Sequence, residues 1–480
     1  MAALENIEPK QVFYWFEQIC SIPHGSGNVK RISDFLVSFA SERGLEYVQD
    51  DALNVIIYAP ASEGYEDSAP LIIQGHMDMV CVCDEGVDID FSRDGLRLKT
   101  DGDFLYAEGT SLGGDDGIAV AYMMALLDYD GAHPRLEMLI TTDEEVGMLG
   151  AADADLSALQ GRRLINIDTD EQGVFIVGCA GGAEADCEFD LPVSRVEGKK
   201  LTVRLSDMHG GHSGTEIHRG YTNAIKLLGD KLRELHGVAE YRLISFSGGE
   251  KSNAIPSSGT VELVCRGAAI EKITAWCAAL QDECKSAVGD DDKNLRVKCE
   301  FSDFAGDALD RGATEKFLDI IAAFPDGVQK WSRDFDGMVE TSLNFGLCSL
   351  RGGKVSTTFL VRSLIDLETS RLMEKLEKIA SGFGGRARSH GAYPAWEYEK
   401  DSPLCELMAG VYREMAGRSP DVRVVHAGLE CGVLKKKLPG LECVSVGPDM
   451  FDIHTPRERL SISSAAFMWE YLCELLKRCK

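Results

Sequence analysis

Apolar and polar positions follow two styles along this chain. In the first, short and nearly unbroken apolar runs end in acids or histidines. LIIQGHMD (71–78), LEMLITTDEE (136–145) and RLINID (163–168) are of this kind, and NVIIYA (54–59) is a similar apolar run without the polar end. Runs of that length, bounded by polar residues, predict buried strands. Between them lie helical patterns. One surrounds FYWFEQIC and a second spans KRISDFLVSFASERG, with the loop SIPHGSGN joining them. SLGGDDG opens a third, IAVAYMMALLDY, apolar enough around its circumference to predict burial. Strands alternating with helices indicate an α/β sheet, and sites on such sheets form at the carboxyl ends of the strands.

From about residue 184 the style changes. KKLTVRLSDM, the helix YTNAIKLLGDKLREL, YRLISFS, TVELVCRG, the helix EKITAWCAALQDECKSAV and LRVKCEF read as β-α-β-β-α-β, the ferredoxin-like order. LNFGLCSL, KVSTTFLVRS and the helix ETSRLMEKLEKIASGF predict a second, partial copy. Near residue 393 the first style returns, with the helix SPLCELMAGVYREMAG and the short strand LECVSVG followed by DIHTP. The expected organisation is an α/β domain (residues 1–183 and 393–480) interrupted by an inserted, doubled α+β domain (residues 184–392).

At 480 residues and 44% hydrophobic content the chain has ample material for two cores. A net charge of −28 argues against nucleic acid or an anionic membrane surface as partner, since both repel that sign. The fifteen cysteines include no C-x-x-C pair, which disfavours a thiolate zinc site. Acids occupy the first residues where a secretory signal would carry bases, and no apolar run is long enough to span a bilayer. A reduced, cytoplasmic protein is expected.

Candidate chemistry sits at the strand ends: His76 and Asp78, Asp115 and Asp116, Glu144 and Glu145, Asp168 and Asp170, and His454. Singly, each has a plain explanation, such as a helix N-cap at Asp115 or a solvated loop at Glu144. Together, five segments aimed at one sheet edge would crowd carboxylates that repel one another unless a cation pair lies between them. Histidine and carboxylate without thiolate suit zinc, manganese or cobalt. Two such ions ~3.5–4 Å apart can activate water and polarise a carbonyl.

HMD, GGDDG, TTDEEVGMLGA, NIDTDE, HGGHSG and DIHTP, in this order, resemble the zinc dipeptidases of the aminoacylase/carboxypeptidase superfamily. IEPKQVFYWFEQICSIPHGSGN, HAGLECG and GPDMFDIHTPRERL resemble its aminoacyl-histidine dipeptidase branch. The resemblance implies a zinc-peptidase-like α/β catalytic domain with an inserted lid domain, two zinc ions per subunit (manganese or cobalt as substitutes), and a homodimer formed through the lid. His76 and Asp168 would hold one metal and Glu145 and His454 the other, with Asp115 bridging. The chain has Asp115-Asp116 where family members often have Asp-Asn. Asp78 would orient an imidazole ligand, and Glu144 would be the general base. In the lid, His212 would stabilise the oxyanion. Asn253 and Arg362 would bind the substrate backbone and its free carboxylate, while His426 and Glu430, in the returning α/β segment, would contact substrate near the peptide terminus. Lid closure would exclude bulk water.

The implied reaction is hydrolysis of short peptides, mainly dipeptides such as Xaa-His. A tripeptidase, a carboxypeptidase or an N-acyl amino acid deacylase on the same scaffold is the alternative. A non-catalytic binding relative would be expected to lose Glu144 or a ligand, and all are present.

Overall fold

Leu71–His76 and Leu136–Thr141 lie side by side in parallel, with His76 opposite Thr141, and every residue of both strands is buried. Their largely apolar character, interrupted at Gln74 and Glu137, follows from that burial, since neither face meets water. The computed structural model describes residues 4–480, which divide into two units. One unit contains the residues up to Cys179, Tyr398–Val424 and Leu429–Lys480; the other contains Ala180–Glu397 and Val425–Gly428.

The first unit is built on an eight-stranded sheet in the order Glu46–Gln49, Val55–Ala59, Leu136–Thr141, Leu71–His76, Arg163–Asn166, Glu442–Ser445, Val174–Cys179 and Asp421–Val425. The third to sixth of these strands run parallel. Helix Gly114–Leu127 is buried along nearly its whole length and shares a core with Phe13, Phe16, Ile73 and Met138. It can lie close to Leu71–His76 because Gly75 has no side chain. A Cβ there would stand 2.4 Å from Asp116 Oδ2 and 2.6 Å from Ala119 Cβ. A separate four-stranded sheet, Met450–Phe451, Arg459–Ser461, Phe104–Ala107 and Leu98–Asp101, belongs to the same unit.

The second unit is an antiparallel nine-stranded sheet, and its topology resolves into two interlocked ferredoxin-like copies. Arg296–Leu309, Val193–Ser206, Gly259–Cys265 and Tyr241–Gly248 are adjacent in that order, the 4-1-3-2 arrangement of one copy. Arg386–Tyr393, Gly181–Asp190, Lys354–Ser363 and Val339–Arg351 repeat the same arrangement. The second copy is therefore complete, and the first copy is inserted after its opening strand. Helices Ala224–His236, Ala269–Ala287, Arg311–Ala323 and Asp366–Gly382 contribute to a single core with this sheet.

Three details differ from the sequence expectations. Helix Arg311–Ala323 and strands Gly181–Asp190 and Arg386–Tyr393 had no counterpart there. The latter strand is an edge, exposed over most of its length, so it lacks the apolar run that marks a buried strand. The segment 425–428 groups with the second unit instead of with the returning α/β segment, because Ala180 N donates to both Val425 O (3.0 Å) and Ala427 O (3.1 Å). The unit boundaries near residues 179 and 397 lie a few residues from the expected 183 and 392.

The Gly75 approach yields a test. Gly75→Ala should lower stability by about 1–3 kcal/mol through overpacking between strand and helix, measured as a shift in the denaturant midpoint at unchanged slope. An unchanged midpoint would mean that the helix can move away freely.

Candidate active site

Five segments of the first unit deliver the acids and histidines, though not all are strand ends of one sheet. His76 closes Leu71–His76, Glu144 and Glu145 follow Leu136–Thr141, and Asp168 follows Arg163–Asn166. Asp115, by contrast, lies in the first turn of Gly114–Leu127. His454 lies between Met450–Phe451 and Arg459–Ser461 of the small sheet, not at the end of the Glu442–Ser445 strand. The chain after that strand continues through GPDM into a separate hairpin, and His454 takes a left-handed φ of 61° there. A non-glycine residue held in that region costs of order 1–3 kcal/mol, a cost met most often at functional sites.

Asp115 sits between the two imidazoles. Its Oδ1 is 3.1 Å from His76 Nε2 and its Oδ2 is 3.1 Å from His454 Nε2. Glu145 Oε1 lies 2.7 Å from His454 Nε2, and Asp168 Oδ1 lies 3.9 Å from His76 Nε2. Ligand atoms of His76, Asp115 and Asp168 all fall within 4.8 Å of one another, as do those of Asp115, Glu145 and His454. The two groups share Asp115. A third group joins His76 with Glu144 and Glu145.

Asp116 turns away from this centre. Its Oδ2 accepts the His76 backbone N–H at 3.1 Å, and the Asp115–Asp116 peptide is cis. Of the two adjacent acids, only Asp115 therefore faces both imidazoles.

Asp78 is buried and binds the turn that carries the two glutamates. It accepts from Glu144 N (3.0 Å), Glu145 N (3.4 Å) and Ser26 Oγ (2.8 Å). The nearest partner of His76 Nδ1 is the Asp78 backbone carbonyl at 3.0 Å, with the Asp78 carboxylate at 3.5 Å. A carbonyl only accepts, so Nδ1 carries a proton, and Nε2, which lies against the Asp115 carboxylate, is the nitrogen left for a cation to take. That is the tautomer a metal-binding imidazole needs.

Electrostatics point the same way. Burial alone would raise the Asp115 pKa, but His454 and His76 hold it well below the usual carboxylate range. Burial pushes Asp168 well above that range, and Asp115 and Asp116 add to the shift. Glu144 rises to about 8, through burial first and then the nearby carboxylates of Glu430, Glu145 and Asp115. His454 rises to about 10 because Asp115 and Glu145 hydrogen-bond its imidazole. Among the described residues, Asp115, Asp168 and Glu145 form ion pairs only with imidazoles. Carboxylates so crowded, with two imidazoles and no lysine or arginine between them, fit divalent cations.

Glu458 belongs to the site, although the sequence reading missed it. Its buried carboxylate accepts the backbone N–H groups of Leu112 (2.8 Å), Gly113 (3.2 Å), Gly114 (2.8 Å) and Asp115 (3.4 Å). The segment 454–458 thus holds Asp115 twice, by the His454 ring and by the Glu458 grip on its loop. The acid after DIHTPR was visible in the sequence, but only the fold shows that it meets residues 112–115.

The second unit gathers the other candidates. His212 Nδ1 accepts from Thr215 N (3.1 Å) and Gly214 N (3.3 Å), which leaves the proton on Nε2. Burial, and then Arg362, lowers its pKa, so the ring is a neutral donor. Asn253 is exposed on the neighbouring loop, its carbonyl accepting from Ser213 N at 2.9 Å. Arg362 is buried and donates from Nη1 to Tyr393 Oη at 2.7 Å, while its Nε has no partner. His426 Nε2 pairs with Ser342 Oγ at 2.7 Å, and burial followed by Arg362 pushes its pKa down to about 3. Glu430 alone of the expected substrate contacts lies in the first unit, fully buried against Gln74 and Thr141.

Removing the Glu458 grip tests this arrangement. Glu458→Ala should weaken divalent-cation binding by about 10–100-fold, the usual effect of losing a residue that orients a ligand, as read by chelator competition. Unchanged affinity would show that the Asp115 loop holds itself.

Comparisons with known proteins identify the family and the fold. Residues 72–478 match the model of the peptidase family M20/M25/M40. The chain is 35% identical, over 99% of its length and 99% of the relative's, to the cytosol non-specific dipeptidase of Escherichia coli (strain K12). Its structure is similar to that of aminoacylhistidine dipeptidase from Vibrio alginolyticus, with a TM-score of 0.89, 32% identity, and 99% and 98% of the two chains covered. It shares its fold with aminopeptidase PepT from Bacillus cereus, at a TM-score of 0.56 and 16% identity over 98% and 99% of the two chains. With a partly buried His–carboxylate centre on that fold, this chain is a member of the M20/M25/M40 peptidase family.

Proposed function

We propose that the protein is a di-zinc dipeptidase, acting on free dipeptides such as Xaa-His, and that it works in the cytoplasm. The observation that carries the reading is Asp115, which offers one carboxylate oxygen to each of two histidine-containing groups. Full-length likeness to two relatives named as dipeptidases supports the substrate class. A donor set of histidine and carboxylate without thiolate suits zinc, with manganese or cobalt as substitutes. No helix among the described residues is long and apolar enough to cross a membrane.

His76 and Asp168 would hold one ion, Glu145 and His454 the other, and Asp115 both. Bound there, the ions would supply carbonyl polarisation and an acidified water. Glu144 takes the proton from the attacking water and passes it to the leaving amine; a carboxyl with a pKa near neutrality suits both halves of that task. Asp78 fixes the amides of the Glu144–Glu145 turn and the orientation of His76. From the second unit, the Nε2–H of His212 donates to the developing oxyanion. Arg362, Asn253 and His426 bind the substrate backbone and its carboxylate, for which a guanidinium is the fitting partner. Strand Arg296–Leu309 ends its sheet with one backbone edge unpaired, and a second copy joining there would give a homodimer through the second unit.

A panel of free dipeptides, N-acyl amino acids and tripeptides tests the reading. Dipeptides, Xaa-His among them, should be cleaved; a chelator should abolish cleavage and added zinc restore it. Turnover confined to tripeptides or acylated amino acids would overturn the substrate assignment. Glu144→Gln should remove nearly all activity while leaving zinc content intact.

The oxyanion role of His212 has its own signature. His212→Asn should lower kcat by roughly 10²–10³-fold, the cost of one oxyanion donor, with KM within a few-fold of the parent. A raised KM at normal kcat would assign His212 to substrate binding instead.

A further inference from the structure

Glu430 is expected from the sequence to touch substrate, but its surroundings give it another task. It opens helix Glu430–Lys437 and has no exposed surface. Its Oε2 accepts from Gln74 Nε2 at 2.6 Å and from Thr141 Oγ1 at 2.7 Å. Gln74 Nε2 also reaches Thr141 Oγ1 at 3.2 Å, and Gln74 Oε1 accepts from Asn166 Nδ2 at 2.8 Å. One buried network therefore ties three adjacent parallel strands.

The register places that network just beneath the metal ligands. Gln74 stands opposite Asn166, and His76 stands opposite Thr141. Side chains two apart on a strand share a face, so Gln74 lies on the face of His76. Asn166 precedes Asp168 by two residues, and Thr141 precedes Glu144 by three. Each strand that supplies a ligand or the base is thus gripped one step before its functional end. Burying a carboxyl among apolar strands is costly, and a hydrophobic side chain would fill the space at lower cost. The Glu430 Oε1 atom has no hydrogen-bond partner, which adds to that cost. A carboxyl retained under those terms is explained by what its bonds hold in place.

We propose that Glu430 is a positioning residue for the metal centre: by accepting from Gln74 and Thr141, and through Gln74 from Asn166, it sets the spacing of the strand ends bearing His76, Glu144–Glu145 and Asp168. The proposal rests on the metal-centre reading above, and it assigns Glu430 no contact with substrate.

Cobalt(II) titration of the metal-free protein, followed by visible absorption, tests it alongside kcat and KM for a dipeptide. Glu430→Ala should bind cobalt about 10–100-fold more weakly, with an altered absorption band and a lower kcat at little-changed KM. Glu430→Gln keeps an oxygen able to accept from the same two donors, so it should recover most of the affinity and the parent band. Thr141→Val, which removes one donor at nearly constant shape, should move the band in the same direction by less, and it decides the matter if Glu430→Ala fails to fold. Parent-like affinity and spectrum in Glu430→Ala and Thr141→Val would overturn the proposal. So would a Glu430→Gln variant as impaired as Glu430→Ala, or a change confined to KM. Failure of the unmutated protein to bind cobalt would instead sink the metal-centre reading itself.

Discussion

The first unit is organised around a repulsion. Asp115, Glu144, Glu145 and Asp168 bring their carboxylates to within ligand distance of one another or of a shared imidazole, in a place where burial already disfavours charge. Left alone, such a cluster would push its segments apart or take up protons; the raised pKa values of Glu144 and Asp168 show the second tendency. Much of the surrounding hydrogen bonding restrains this crowding. Asp78 grips the Glu144–Glu145 turn, Glu458 grips the Asp115 loop, and Asp116 holds the His76 backbone. Each restraint is itself a buried carboxyl group that accepts from backbone N–H groups, although Asp116 Oδ1 has no partner of its own. Acids thus do two opposed jobs within a few residues of each other, some facing the centre and some facing the backbone that carries it.

That division explains which parts of the site were legible in the sequence. HMD, DEE and NID stand at the ends of unmistakable apolar runs, so strand alternation already aims His76 and the acids of those segments at one edge. Asp115 was legible as the start of a helix, since SLGGDDG precedes an apolar stretch. His454 was expected to lie near the end of the LECVSVG strand and instead hangs from a second small sheet, because four-residue and two-residue strands leave no periodic signal to separate them. Glu458 and Glu430 illustrate a different limit. Both act at long range in sequence, Glu458 on residues 112–115 and Glu430 on residues 74 and 141, and no local pattern encodes such a partner.

The second unit shows how far pattern can mislead about completeness. Its first ferredoxin-like copy was readable because all six elements follow in order. The second copy was read as partial because its opening strand, Gly181–Asp190, lies before the first copy and its closing strand, Arg386–Tyr393, is a polar edge. Once the pairings are known, both copies have the same 4-1-3-2 order. The insertion point has a physical logic: the chain leaves the second copy at Asp190 and returns at Asp310, where Asp310 N donates to Pro192 O at 3.0 Å, so the inserted copy's two ends are neighbours.

The histidines show that proton placement, more than proximity, separates the roles argued for the two units. His76 and His212 are both fixed at Nδ1, but in opposite senses. A carbonyl acceptor at His76 Nδ1 fixes a proton there and leaves Nε2 as the nitrogen for a cation, whereas amide donors at His212 Nδ1 take that atom's lone pair and leave Nε2 protonated. The first ring is thereby suited to hold a cation and the second to donate to an anion. The same side chain is fitted to opposite electrostatic tasks because the backbone around it, a strand end in one case and a glycine-rich turn in the other, decides which nitrogen is left to act.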